Sequence, residues 1–123
     1  MDATLAEAFA VNDIASYSPQ APERSEVDAL PGLTLLQFGT EWCGHCQAAA
    51  PAVAEALQAA PAAASIRRLL VEDGSGRPLG RSFRVKLWPT LILLRDGQEI
   101  ARLVRPTEAA AVAQWLAAAS STA

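Results

Sequence analysis

The sequence predicts an α/β fold in which a central mixed β-sheet carries α-helices on both faces. Three observations point to it. Residues 33–71 read as strand, helix, strand, a βαβ unit whose right-handed crossover makes the two strands parallel. Residues 90–104 read as two strands joined by Asp96-Gly97, a two-residue hairpin signal that makes this second pair antiparallel. A last amphipathic stretch, residues 107–119, closes the chain as a helix.

The elements follow in order. Residues 1–32 are the least regular part: a helix at 4–11, a Pro- and Ser-containing loop at 16–25, and a second short helix at 25–30 ended by Pro31-Gly32. They are expected to form an N-terminal helical extension, an atypical start to a domain spanning 33–123. Residues 33–38 are a run of mostly large apolar side chains between Gly32 and Gly39, the pattern of a strand buried on both faces. The alanine-dense stretch 44–60 is helix-prone, and 66–71 is a second buried strand. A short helix is expected within 77–84 and a strand at 90–94. In 99–104, Ile100, Arg102 and Val104 alternate with Ala101 and Leu103, which places that strand nearer an edge. Thr107 is the expected cap of the last helix, with Val112, Trp115, Leu116 and Ala119 on one face. Abundant alanine implies helices held by close, small-residue packing.

Composition excludes several classes of function. The chain has 123 residues, 51% hydrophobic and 19% charged, with a net charge of -3, which suits one soluble domain with a real core. Ten basic against thirteen acidic residues leave no electrostatic footprint for nucleic acid or an anionic membrane. No apolar run is long enough to span a bilayer. The first residues carry acids where a secretory leader carries bases, so the cytoplasm is the expected location.

The chemistry is concentrated in one segment, Cys43-Gly44-His45-Cys46, which contains both cysteines and the single histidine. Cys43 falls where a buried strand gives way to a helix. The unpaired amides and positive dipole end there stabilise an anion, so Cys43 is expected to be a low-pKa nucleophile. Cys46, about one helical turn on, lies within disulfide reach. In a reducing compartment such a pair is catalytic or metal-binding rather than structural. A metal carrier using Cys43, His45 and Cys46 is the rival reading, but a closed zinc site needs a fourth ligand and the chain has no further Cys or His. No paired carboxylates, glycine-rich phosphate loop or Ser-His-Asp pattern competes.

The segment Phe38-Gly39-Thr40-Glu41-Trp42-Cys43-Gly44-His45-Cys46, with Pro51 along the same helix and Trp88-Pro89-Thr90 before the next strand, resembles the thioredoxin family over about residues 33–119. The resemblance implies a thioredoxin-like fold and a thiol–disulfide oxidoreductase. In it Cys43 attacks a substrate disulfide, Cys46 resolves the mixed disulfide, and Pro89 follows a cis peptide bond and helps receive the substrate. Trp42 and Trp88 would shape that substrate surface. No bound cofactor is implied, and no metal. The partners would be protein disulfides or dithiols and an electron donor such as a flavin-containing reductase or glutathione, with the chain itself a monomer. A redox-sensing or partner-binding module with little turnover is the alternative within the same fold.

Gly44-His45 looks like the dipeptide of protein disulfide isomerases. An imidazole beside Cys43 favours the thiolate, so the expected potential lies between those of thioredoxin and the isomerase, roughly -270 and -180 mV. Three departures from the family stand out. Gln37 occupies the place of a buried Asp that helps move the second cysteine's proton. An amide cannot titrate, so resolution by Cys46 is expected to be slower or assisted by another group. The nearest acid, Glu41, is expected to lie exposed on the loop. Gly39 stands where a Trp is common, opening space beside the motif. Arg105-Pro106 replaces a glycine-containing loop, where a bulky cation would narrow partner choice.

Overall fold

The computed structural model describes residues 17–60 and 65–121. Helix α1 (Arg24–Asp28) precedes strand β1 (Leu33–Gly39), helix α2 (Gly44–Ala59) and strand β2 (Ile66–Glu72). Helix α3 (Pro78–Ser82), strands β3 (Thr90–Arg95) and β4 (Gln98–Val104), and helix α4 (Ala109–Ser120) complete the order. The helix expected at residues 4–11 lies outside the described residues.

The sheet runs β2-β1-β3-β4. β1 pairs in parallel with β2, Leu36 opposite Leu69, and antiparallel with β3, Leu36 opposite Ile92. The sheet is therefore mixed, as expected, with β1 and β3 central and β4 at an edge. At the opposite edge the backbone of Ser18 bridges to β2, its N–H donating to the Leu70 carbonyl at 3.0 Å and its carbonyl accepting from the Glu72 N–H at 2.9 Å.

Strand alternation sends successive side chains to two separate cores. On one face Leu36, Phe38, Leu69, Val71, Ile92 and Leu94 pack with Val27 and Leu30 from the α1 region and with Leu79 and Phe83 from the α3 region. Residues 24–30 thus share a core with the sheet. On the other face Leu35, Ile66, Leu91 and Leu93 meet Val53 and Ala56 of α2 and Val112, Leu116 and Ala119 of α4, with Trp115 packed at the margin. Each large side chain buried in this way contributes about 1.5–3 kcal/mol. Ala49, Ala52 and Ala56 line the buried stripe of α2, in keeping with close, small-residue packing.

The turn between β3 and β4 has positive φ at both Asp96 and Gly97, the conformation that twists a hairpin correctly. The Asp96 carboxylate accepts from the Gly32 N–H at 2.7 Å, which ties the turn to the start of β1. Helix α4 differs in its start from the sequence expectation. Glu108 is its N-cap, without a side-chain cap bond, and Thr107 lies exposed one residue outside. Among the described residues no helix is long and apolar enough to cross a membrane.

Candidate active site

β1 ends at Gly39 and α2 begins at Gly44, so residues 40–43 carry the chain from the centre of the sheet to a helix N-terminus. Cys43 is the N-cap. Its backbone is extended and its sulfur accepts the Cys46 N–H at 3.3 Å, the bond a capping oxygen would otherwise accept. The loop is held by Gln47, whose amide donates to the Glu41 carbonyl at 2.9 Å. Both cysteines are thiols, Cys43 8% and Cys46 2% exposed.

Their electrostatics diverge. Burial pushes the Cys43 thiol up, but the hydrogen bond from the Cys46 thiol, the backbone N–H groups of Cys46 and His45, and the charge of Arg105 together hold it below the ordinary thiol value. Cys46 is pushed up to about 11, first by burial, then by the hydrogen bond it gives to Cys43 and by the Cys43 charge, against smaller opposing contributions from the Thr40 backbone and the Tyr17 hydroxyl. One thiol is thus biased toward the thiolate while the other is held protonated beside it.

The Trp88-Pro89 peptide bond is cis, as the motif implied. Arg105 holds this loop, donating from its backbone N–H to the Pro89 carbonyl at 2.9 Å and from Nε to the Trp88 carbonyl at 2.8 Å. Arg105 has φ 52°, a left-handed backbone conformation that turns the chain sharply after β4. It thus braces the cis-proline loop and places a positive charge that lowers the Cys43 pKa. Arg105→Gln is expected to raise the Cys43 pKa, readable from the ultraviolet absorbance of the thiolate. An unchanged midpoint would remove Arg105 from the site.

Trp42 is 72% exposed, so it does not cap the core; it meets Trp88 edge to face at 5.8 Å between ring centroids. This contact brings the cysteine loop and the cis-proline loop together. Trp88 is fixed in turn by its indole N–H, which donates to Asp73 at 2.8 Å. Beyond it opens a cleft of about 420 Å³ whose lining includes Arg77, Arg81, Arg84 and Lys86. The His45 side chain is exposed, and its backbone N–H acts on Cys43. Among the described residues no three His, Cys, Asp or Glu side chains gather as a metal site, so His45 does not join the two thiols into a ligand set.

One further residue, Tyr17, belongs to the site and was not singled out from the sequence; it is reached through Gln37. Gln37 is buried and donates from Nε2 to the Tyr17 hydroxyl at 2.9 Å, while its Oε1 accepts from Arg68 at 3.0 Å. Tyr17 is the single tyrosine of the chain, and its hydroxyl lies beside the Cys46 sulfur in the space over Gly39, where it lowers that thiol's pKa. Glu41 is exposed, as expected, and its carboxylate accepts the Tyr17 backbone N–H. The available signal was the pair of departures in β1: a carboxyl absent at Gln37 and a side chain absent at Gly39 leave a polar gap that another part of the chain must fill.

Comparison with known proteins agrees with this geometry. A solved structure of thioredoxin 2 from Pseudomonas aeruginosa PAO1 in its reduced form superimposes with a TM-score of 0.77 at 51% identity, covering 87% of this chain and 96% of that one. A thioredoxin from Chlamydia muridarum is 45% identical over 73 residues, 59% of this chain and 69% of its own. Protein disulfide-isomerase A2 from Pongo abelii is 39% identical over 85 residues, 67% of this chain, but the match spans only 16% of that longer protein. The family model described as Thioredoxin matches residues 17–118, a span that takes in Tyr17 as well as the cysteines, the cis-proline loop and most of α4. The chain belongs to the thioredoxin family.

Proposed function

We propose that the chain is a thiol–disulfide oxidoreductase that exchanges disulfides with protein substrates through Cys43 and Cys46. The observation that carries this reading is the asymmetry of the pair: two neighbouring thiols at one helix N-terminus, the Cys43 sulfur accepting the Cys46 N–H, with one pKa lowered and the other raised. The Cys43 thiolate attacks a substrate disulfide, forming a mixed disulfide and expelling one substrate thiolate. Cys46 then attacks the Cys43 sulfur, forming the Cys43–Cys46 disulfide as the bond to substrate breaks. Two electrons pass to the substrate, whose two thiolates take up two protons.

Trp42, Trp88 and Pro89 are the proposed substrate contacts, and the exposed His45 ring is proposed to bias the pair toward the dithiol. An external donor, a flavin-containing reductase or glutathione, would return the disulfide to the dithiol in a reducing compartment such as the cytoplasm. Residues 1–32 are proposed as an extension that supplies the site as well as preceding the 33–123 domain.

Cys46→Ala tests the reading by removing the resolving thiol. Incubated with a disulfide-bonded protein such as insulin, this variant is expected to accumulate a one-to-one adduct through Cys43, reversible by dithiothreitol and visible by mass spectrometry. Absence of the adduct would show that Cys43 does not attack protein disulfides.

A further inference from the structure

The resolving step poses a problem that β1 does not solve. Cys46 must become a thiolate to attack, yet burial holds its proton, and Gln37 has no group that can accept it. The space over Gly39 contains the answer. A Cβ placed on Gly39 would lie 2.5 Å from the Cys46 sulfur and 2.8 Å from the Tyr17 hydroxyl oxygen. The sulfur and the phenol share the volume that a side chain at position 39 would fill. The two groups adjoin there, and each shifts the ionisation of the other.

The direction in which the phenol can donate is set by the residues behind it. Arginine has only donors, so the Gln37 carbonyl must face Arg68, which it does at 3.0 Å. The Gln37 amino group therefore faces Tyr17 and donates to its oxygen at 2.9 Å. With that oxygen accepting, the one proton of the phenol is left to point at sulfur. Burial raises the Tyr17 pKa, against a smaller lowering by the Gln37 hydrogen bond, which keeps the phenol a donor. The main chain fixes the phenol in place: the Tyr17 N–H bonds Glu41, Ser18 pairs with the edge of β2, and Arg77 donates to the Pro19 carbonyl at 2.7 Å.

We propose that Tyr17 is a catalytic residue whose hydroxyl donates a hydrogen bond to the Cys46 sulfur and stabilises the thiolate that resolves the mixed disulfide, with Gln37 and Arg68 as the positioning residues that aim it. The proposal rests on the oxidoreductase reading given above. In this step Cys46 loses its proton to solvent, which returns one to the departing substrate thiolate. The Cys46 sulfur bonds to Cys43 as the Cys43–substrate bond breaks, and Tyr17 keeps its own proton throughout. A carboxylate at this position would take the proton but repel the thiolate that remains. The phenol takes none and attracts it, with Arg68 adding positive potential behind.

Tyr17→Phe removes one oxygen and keeps the ring. In the reduced protein carrying isotope-labelled cysteine, the Cys46 titration midpoint followed by NMR is expected to rise by about one pH unit, with a much smaller change at Cys43. With substrate, resolution of the mixed disulfide at neutral pH is expected to slow about tenfold while the first attack by Cys43 stays within about twofold. Gln37→Leu is expected to raise the Cys46 midpoint when Tyr17 is present and to leave it unmoved in the Tyr17→Phe background. A Cys46 midpoint that does not rise in Tyr17→Phe overturns the proposal, and an equal effect of Gln37→Leu in both backgrounds removes the relay behind it. The titration needs no substrate, so it judges Tyr17 even if Cys43 forms no mixed disulfide and the oxidoreductase reading fails.

Discussion

Cys43→Ser is expected to abolish disulfide-reducing turnover, lowering it by at least about a thousandfold. A hydroxyl at the α2 N-terminus keeps the capping bond to the Cys46 N–H but remains protonated where the thiol ionises, so the fold persists while the nucleophile is lost. The wild-type pH profile provides the matching measurement. Cys43 attacks as a thiolate, so the first-step rate rises as pH climbs through its pKa and levels off above it. Because that pKa is lowered, the midpoint is expected below that of an ordinary thiol. A redox-sensing module would show little turnover for Cys43→Ser to remove. Substantial turnover by the serine variant would place the chemistry elsewhere.

Gly39→Val is expected to destabilise the protein by about 3 kcal/mol, measured by urea unfolding. The first added carbon already falls 2.5 Å from the Cys46 sulfur and within 2.9 Å of the Tyr17 ring, and a β-branched side chain brings two more. Relief requires either Tyr17 or Cys46 to leave its place, so the variant is also expected to resolve mixed disulfides slowly. Gly44→Ala, only five residues along, is the control: a Cβ there meets nothing within 4 Å, and its stability is expected to stay within about 0.5 kcal/mol of wild type. Equal stability of the Gly39 and Gly44 variants would mean that the space beside Cys46 is not filled as described.

Where side-chain chemistry repeats locally, the sequence was legible. Leu33 to Phe38 could only be a strand buried on both faces, and Asp96-Gly97 only a tight hairpin, because each signal resides within a few consecutive residues. Cys43 and Cys46 were legible for the same reason: a strand end, a helix start and two thiols three residues apart lie within one short segment. Thr107 was less readable, since helix starts compete among neighbouring residues and the chain leaving Arg105 places Glu108 at the cap. Arg105 was recognised as unusual, but its charge acts on Cys43 across a gap of sixty-two positions, a relation no local pattern encodes.

By itself, then, the sequence determined the sheet and helix order, the pair of thiols and the cis-proline motif facing them, because hydrophobic period, turn residues and motif spacing are short-range properties. Only the tertiary structure decided what replaces the missing acid at Gln37. Tyr17, twenty positions earlier, enters the gap left by Gly39 because Ser18 pairs with the far edge of β2, and Gln37 and Arg68 then fix which way its proton points. Such a contact depends on three strands and an extension meeting in space. Its physical basis is the requirement that buried polar groups find partners, which constrains the folded chain as a whole rather than any one segment.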